Sequence, residues 1–186
     1  MTGPSPNRSP NHARLLINAG ADLEAVNSKG ARPLHIASEH AHPAVINQLL
    51  SACASVSALD GRGDRYTALH RAAWALPGLK RRARESAAVA ARVVGAVQAL
   101  AARGASLTAC DRFGGTPLLL AATLGNTAAV RALIELGADV DAQDNDLTAA
   151  HRAAHEGHAD ALRVLIAAGA RPGAPAPGDY GRNALH

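Results

Sequence analysis

Apolar residues along this chain fall in short runs at helical spacing, broken by glycine. The stretch Asp111 to Ala142, DRFGGTPLLLAATLGNTAAVRALIELGADVDA, shows the pattern in full. Thr116-Pro117 opens a first helix predicted over Leu118 to Leu124, and Gly125 ends it. A second helix is predicted over Thr127 to Leu136, with Val130, Leu133 and Ile134 on one face. Gly137-Ala138-Asp139 closes that helix, and Val140-Asp141-Ala142 leads out extended. Proline in the first turn and glycine past the last are where the backbone favours them. Each helix has only about two to three turns, too few to persist alone in water. The unit therefore has to stack on others like itself.

The units are present. The closing Gly137-Ala138-Asp139 returns as Gly20-Ala21-Asp22, Cys53-Ala54-Ser55, Gly104-Ala105-Ser106 and Gly169-Ala170-Arg171. The opening TPLL returns as Arg32-Pro33-Leu34-His35, Thr67-Ala68-Leu69-His70, Thr148-Ala149-Ala150-His151 and Asn183-Ala184-Leu185-His186. Gly20 to Cys53 is 33 residues, as is Gly104 to Gly137, and Gly137 to Gly169 is 32. A period near 33 with a T-P-L-H-x-A opening resembles the ankyrin repeat. The resemblance covers nearly the whole chain. It implies an all-α solenoid of stacked helix–turn–helix units with turn or hairpin tips. On function it is almost silent, because such arrays bind partners of many unrelated kinds.

Taken in order, residues 1–11 form a Pro-, Ser- and Asn-rich head expected to be disordered. Residues 12–26 are a partial repeat, with a second helix over His12 to Ala19 and no first helix before it. A full repeat follows over 27–58, in which Arg32 stands where Thr is usual and Ala41 where Gly is usual between the helices. The repeat over 59–109 is irregular: its turn, Asp60 to Tyr66, carries about two extra residues, and 16 extra residues lie between its helices. No proline interrupts Leu79 to Arg103, and Val89, Val93, Val97 and Leu100 keep helical spacing, so one long second helix is expected there. Repeats at 110–142 and 143–171 follow, then a Pro- and Gly-rich linker and the start of another repeat over 172–186. An array with half a repeat at each end reads as part of a longer array, or as one capped by its head and tail.

The chain is 48% apolar but only 2% aromatic, and alanine dominates, as suits thin, closely stacked helix pairs. A net charge of +4 is too small to point to nucleic acid. Cys53 and Cys110 form no metal-like pair and no disulfide framework, which fits a reducing, intracellular and cytoplasmic setting, with the nucleus as an alternative. No apolar run reaches the roughly 18 residues of a membrane span. The first 16 residues, MTGPSPNRSPNHARLL, lack the apolar core of a signal peptide.

Candidate chemistry is sparse. His151, His155 and His158 cluster in HRAAHEGH, but HEGH is tighter than the H-E-x-x-H of zinc peptidases. The resemblance gives His151, like His35, His70 and His186, the role of organising the turn through backbone hydrogen bonds. It places His158 between the helices as a cap and leaves His155 unexplained. Arg62-Gly63-Asp64 is a three-residue match to an adhesion motif on a Gly-rich turn. DGRGD has no G-x-x-x-x-G-K pattern of a phosphate loop. No nucleophile or carboxylate pair stands in a catalytic context, so no enzyme, metal or cofactor is expected. Lys80, Arg81, Arg82 and Arg84 form the strongest charge cluster. From Ala75 to Arg103 six basic residues face one acid, giving +5, so the basic excess belongs to the insertion. The cluster is a candidate anion-binding or nuclear-import patch, against the alternative of a solvated insertion.

The resemblance also implies that turn tips and first helices line a concave face where partners dock. On it fall the tip positions Ser28, Lys29 and Ala31, Gly63 to Tyr66, and Arg112, Phe113 and Gly115. The outward first-helix positions are Glu39 and His40, Trp74 and Ala75, Thr123 and Leu124, and His155 and Glu156. Three of the chain's four aromatics, Tyr66, Trp74 and Phe113, lie here, flanked by Arg65, Arg71 and Arg112. Aromatic residues and arginine dominate binding hot spots. An aromatic–arginine patch of Arg65, Tyr66, Arg71, Trp74, Arg112 and Phe113, extended by Leu124 and His155, is the expected docking face. The expected function is a monomeric, non-catalytic protein-interaction module for a protein partner. Two alternatives stand beside it: a regulatory or targeting segment of a larger protein, and a nucleic-acid or anion binder working through the insertion.

Overall fold

The computed structural model describes residues 9–61, 63–75, 86–145 and 147–171. Helix α1 covers Ser9–Asn18. Then come α2 (Pro33–Glu39) and α3 (Pro43–Ser51), α4 (Ala68–Trp74) and α5 (Ala87–Ala101), and α6 (Pro117–Thr123) and α7 (Thr127–Glu135). A two-residue hairpin, β1 (Gln143–Asp144) paired antiparallel with β2 (Leu147–Thr148), leads into α8 (Ala149–His155) and α9 (Ala159–Ala167).

The helices form two layers. First helices stack in the order α2, α4, α6, α8, and second helices in the order α1, α3, α5, α7, α9. Each first helix also packs on its own second helix. This is the all-α stacked solenoid that the resemblance implies. Leu34, Ile46, Leu69, Val97, Leu100, Leu119, Leu133 and Leu165 are fully buried between the layers. Ala37, Ala72, Ala121 and Ala153 share one register in the four first helices and are all buried. Alanine there lets neighbouring short helices approach closely without loss of helix propensity.

Punctuation explains the short helices. Thr67, Thr116 and Thr148 are N-caps whose hydroxyls accept the amide three residues on. At the ends of the second helices Gly137 adopts φ 90°, with its N–H donating to the Ile134 carbonyl and that of Ala138 to the Leu133 carbonyl. Cys53 takes the same place with φ 67°, so a side chain is held in the left-handed region. Ala41, where a glycine is usual, does likewise at φ 47°.

Three expectations are corrected. Residues 9–11, expected in a disordered head, open α1. The helix expected to run unbroken from Leu79 is interrupted at Ser86, which is extended (φ −65°, ψ 137°) with its hydroxyl capping Val89, so α5 begins at Ala87; the expected part over 79–85 lies outside the described residues. Ser86 is a preferred N-cap, and capping ends the helix where an unbroken apolar spacing suggests continuation. Finally, the tip positions Ala31, Tyr66 and Gly115 and the first-helix position Ala75, expected to point outward, are buried.

Candidate partner-binding face

The hairpin tips are closed by one acidic or amide side chain each. Asn27 Oδ1 accepts from the Ala31 amide at 3.0 Å. Asp60 Oδ1 accepts from the Tyr66 amide at 3.1 Å. Asp111 Oδ1 accepts from Phe113 and Gly115 at 2.7 and 2.9 Å. Adjacent tips are tied by backbone: Gly61 N–H donates to the Gly30 carbonyl at 2.7 Å, and Arg112 N–H to the Asp64 carbonyl at 2.9 Å. The first contact leaves no room for a side chain, since a Cβ on Gly30 would sit 2.5 Å from the Gly61 Cα.

Histidine carries the same coupling inward. His70 Nδ1 lies 2.9 Å from the Thr67 hydroxyl and its Nε2 lies 3.0 Å from the Gly115 carbonyl in the next tip. His35 Nε2 reaches Ala58 O at 3.0 Å in the same way. His151 repeats the Thr148 contact at 2.8 Å. Burial pushes the pKa values of His35 and His70 below the ordinary histidine value, so both rings work as neutral hydrogen-bonding groups.

The expected patch divides into two clusters. In the first, the residue before the helix cap turns inward: Tyr66 is 5% exposed, stacks on His70 at 5.5 Å between centroids, and lies 5.9 Å from the Trp74 ring. Burial first, then nearby Asp64 and Asp111, raises the pKa of its phenol. Arg71 is buried too. Its guanidinium bonds Asp60, sits 4.9 Å from the Tyr66 centroid and 5.9 Å from that of Trp74, and lies 3.7 Å from Glu39 on the preceding first helix. Trp74, half-buried, is the member of this cluster that reaches the surface. In the second cluster Phe113 is 56% exposed, with the Arg112 guanidinium 4.6 Å from its ring centroid.

The remaining candidates are scattered. Arg65 is exposed at φ 58°, Leu124 is the half-buried C-cap of α6, and His155 is exposed beside Glu156 at 2.9 Å. His158 faces the Thr123 carbonyl at 3.1 Å, so the three clustered histidines turn to three separate partners. Lys80, Arg81, Arg82 and Arg84 lie outside the described residues. Sequence reasoning passed over Asp60 and Asp111, whose signal was an acid three or more residues ahead of the cap threonine. It also passed over the donors that bind the end of each preceding first helix: Arg92 on the His40 and Ala41 carbonyls, and Asn126 on the Ala73 carbonyl at 3.0 Å.

Stacked helix pairs joined tip to tip define a repeat solenoid. The chain belongs to the ankyrin repeat family: a model of three ankyrin repeats matches residues 87–176 and a single-repeat model matches 29–61, together more than half of the chain. Among similar proteins, the B-cell lymphoma 3 protein homolog of Mus musculus is 32% identical over 88% of this chain and 34% of its own length. Ankyrin repeat protein nuc-2 of Neurospora crassa is 30% identical over 82% of this chain and 13% of its own. Neurogenic locus notch homolog protein 1 of Danio rerio is 34% identical over 83% and 6%. The chain thus spans about a third or less of the length of these relatives. Ankyrin repeats are generally non-enzymatic protein-interaction modules. Among the described residues no helix is long and apolar enough to cross a membrane.

Proposed function

We propose that this chain is a non-catalytic interaction module that binds a protein partner on the tips and first helices of its second and third full repeats. Phe113 and Trp74 are the anchors, Arg112 is the polar rim, and Tyr66 and Arg71 hold Trp74 in place from below. The observation that carries this reading is Phe113: a large aromatic side chain more than half exposed on a tip whose backbone is fixed at both ends by Asp111. A fixed anchor loses little conformational entropy on binding. Arg65, Leu124 and His155 extend the face as its periphery. The exposed, unpaired Cys53 and Cys110 support a reducing intracellular compartment, cytoplasmic or nuclear. We take the module to act as a monomer.

The test is capture of partners by the wild type and by Trp74→Ala/Phe113→Ala, both verified as folded by circular dichroism. Loss of a partner from the double variant alone supports the face. Equal capture by both proteins refutes it.

A further inference from the structure

Charge is sorted at the tips of the first three full repeats. The acids turn inward. Asp60 is buried on Arg71 and the Tyr66 amide, and Asp111 accepts from the Phe113 and Gly115 amides. Glu39 of α2 faces Arg71 at 3.7 Å. The cations turn outward: Lys29, Arg65 and Arg112, one on each tip, are all exposed. Among the described residues no carboxylate pairs with Lys29 or Arg65. Arg112 has the half-exposed Asp64 at 4.0 Å, a loose ion pair. Three cations against one acid thus face solvent along the row.

Arg65 also holds φ 58°, a left-handed conformation that glycine enters freely and a Cβ disfavours. Folding alone favours glycine there, as it does at Gly63 two residues before, with φ 84°. The guanidinium at this place therefore answers to something other than the turn.

The tips set a spacing as well. Backbone bonds join Gly61 to Gly30 and Arg112 to Asp64, and stacked helices recur about every 8–10 Å. A polyproline-like extended chain advances about 3.1 Å per residue with three residues per turn, so every third side chain returns to one edge after about 9 Å. Carboxylates at every third position of such a segment match the row of cations. Phe113, stacked on Arg112, is placed to meet an apolar side chain between them. A nucleic-acid strand fits less well. Its unbroken run of phosphates also meets Asp64, whereas a peptide can leave that place uncharged.

We propose, resting on the docking face above, that its partner presents an extended acidic segment, with carboxylates about every third residue laid across Lys29, Arg65 and Arg112 and an apolar side chain on Phe113. The cations fix the register of the segment and speed its approach, and Phe113 supplies the anchor.

The probe is a fluorescein-labelled peptide, GEPLEPLEPLG, titrated into the full chain and followed by anisotropy. The expected result is saturable binding that weakens as salt rises and is lost when each Glu of the peptide is Gln. Arg65→Gly and Arg112→Gln should each weaken it about two- to five-fold, as exposed ion pairs do. With Lys29→Gln added, the triple variant should bind about tenfold more weakly or worse. The thermal midpoint of Arg65→Gly should not fall, which separates lost binding from lost folding. No saturable binding, binding indifferent to the three substitutions, or tighter binding of an oligothymidylate of the same length overturns the proposal. Partner capture divides it from the reading beneath it. Partners kept by the charge triple variant but lost from Trp74→Ala/Phe113→Ala overturn the acidic segment and leave the face standing. Partners kept by both variants refute the face itself.

Discussion

The Asp60 carboxylate accepts from Arg71 Nε at 2.8 Å, and the two side chains are 0% and 3% exposed. The pair joins the hairpin tip to the first helix and lies beneath the Tyr66 and Trp74 rings. Removing one partner of a buried ion pair strands the other charge, at a cost of about 3–5 kcal/mol, whereas replacing both with apolar residues is often close to neutral. Arg71→Met should therefore destabilise the chain by about that amount, and Asp60→Leu/Arg71→Met should recover only part of the loss, because Asp60 also accepts from the Tyr66 amide and Arg71 also faces Glu39. Urea unfolding of the three proteins checks it, and additive losses would show that the charges act independently.

Cys53 holds a left-handed conformation that the other repeats give to glycine. The side chain is exposed and no disulfide is lost by removing it. Cys53→Gly should raise stability by about 1 kcal/mol, the steric cost of a Cβ in that region. A thermal unfolding midpoint that stays or falls would contradict the account.

Burial lowers the pKa of His70 from 6.5, and those of His35 and His42 shift the same way. The folded chain resists a proton that the unfolded chain accepts. Stability should thus be constant above the unfolded value and fall as pH drops below it. The slope is at most about 1.4 kcal/mol per pH unit for each such histidine. His70→Gln, which keeps a donor near the Gly115 carbonyl, should flatten the curve between pH 6.5 and the acid end of the transition. An unchanged slope in chemical denaturation would remove His70 from the explanation.

Much of this was legible in the residues because local rules and the repeat agree. Thr116-Pro117, Gly125 and Gly137 mark helix ends by backbone geometry that any neighbour leaves intact. The face was less legible. A position's orientation depends on which residue the tip folds inward, and Tyr66 is turned in by Asp60, six residues away, and by His70 beneath it. A spacing argument cannot weigh that pair of contacts against the bulk of a tyrosine. Arg92, likewise, serves a helix end some fifty residues earlier, and no local pattern announces it.

Phe113 offers the sharpest division between binding and folding. Its ring contacts the Arg112 guanidinium and solvent, while its backbone amide, which any residue retains, bonds Asp111. Phe113→Ala should shift unfolding by no more than about 0.5 kcal/mol, as for an ordinary surface change. If Phe113 anchors a partner, the same substitution should weaken binding by about 2 kcal/mol or more. Trp74→Ala should move both quantities, because that ring also packs on Tyr66 and Arg71. Unfolding curves and titration calorimetry with a captured partner read the two effects separately. A Phe113→Ala protein that unfolds more easily yet binds unchanged would make the ring a structural element and leave Trp74 as the remaining anchor.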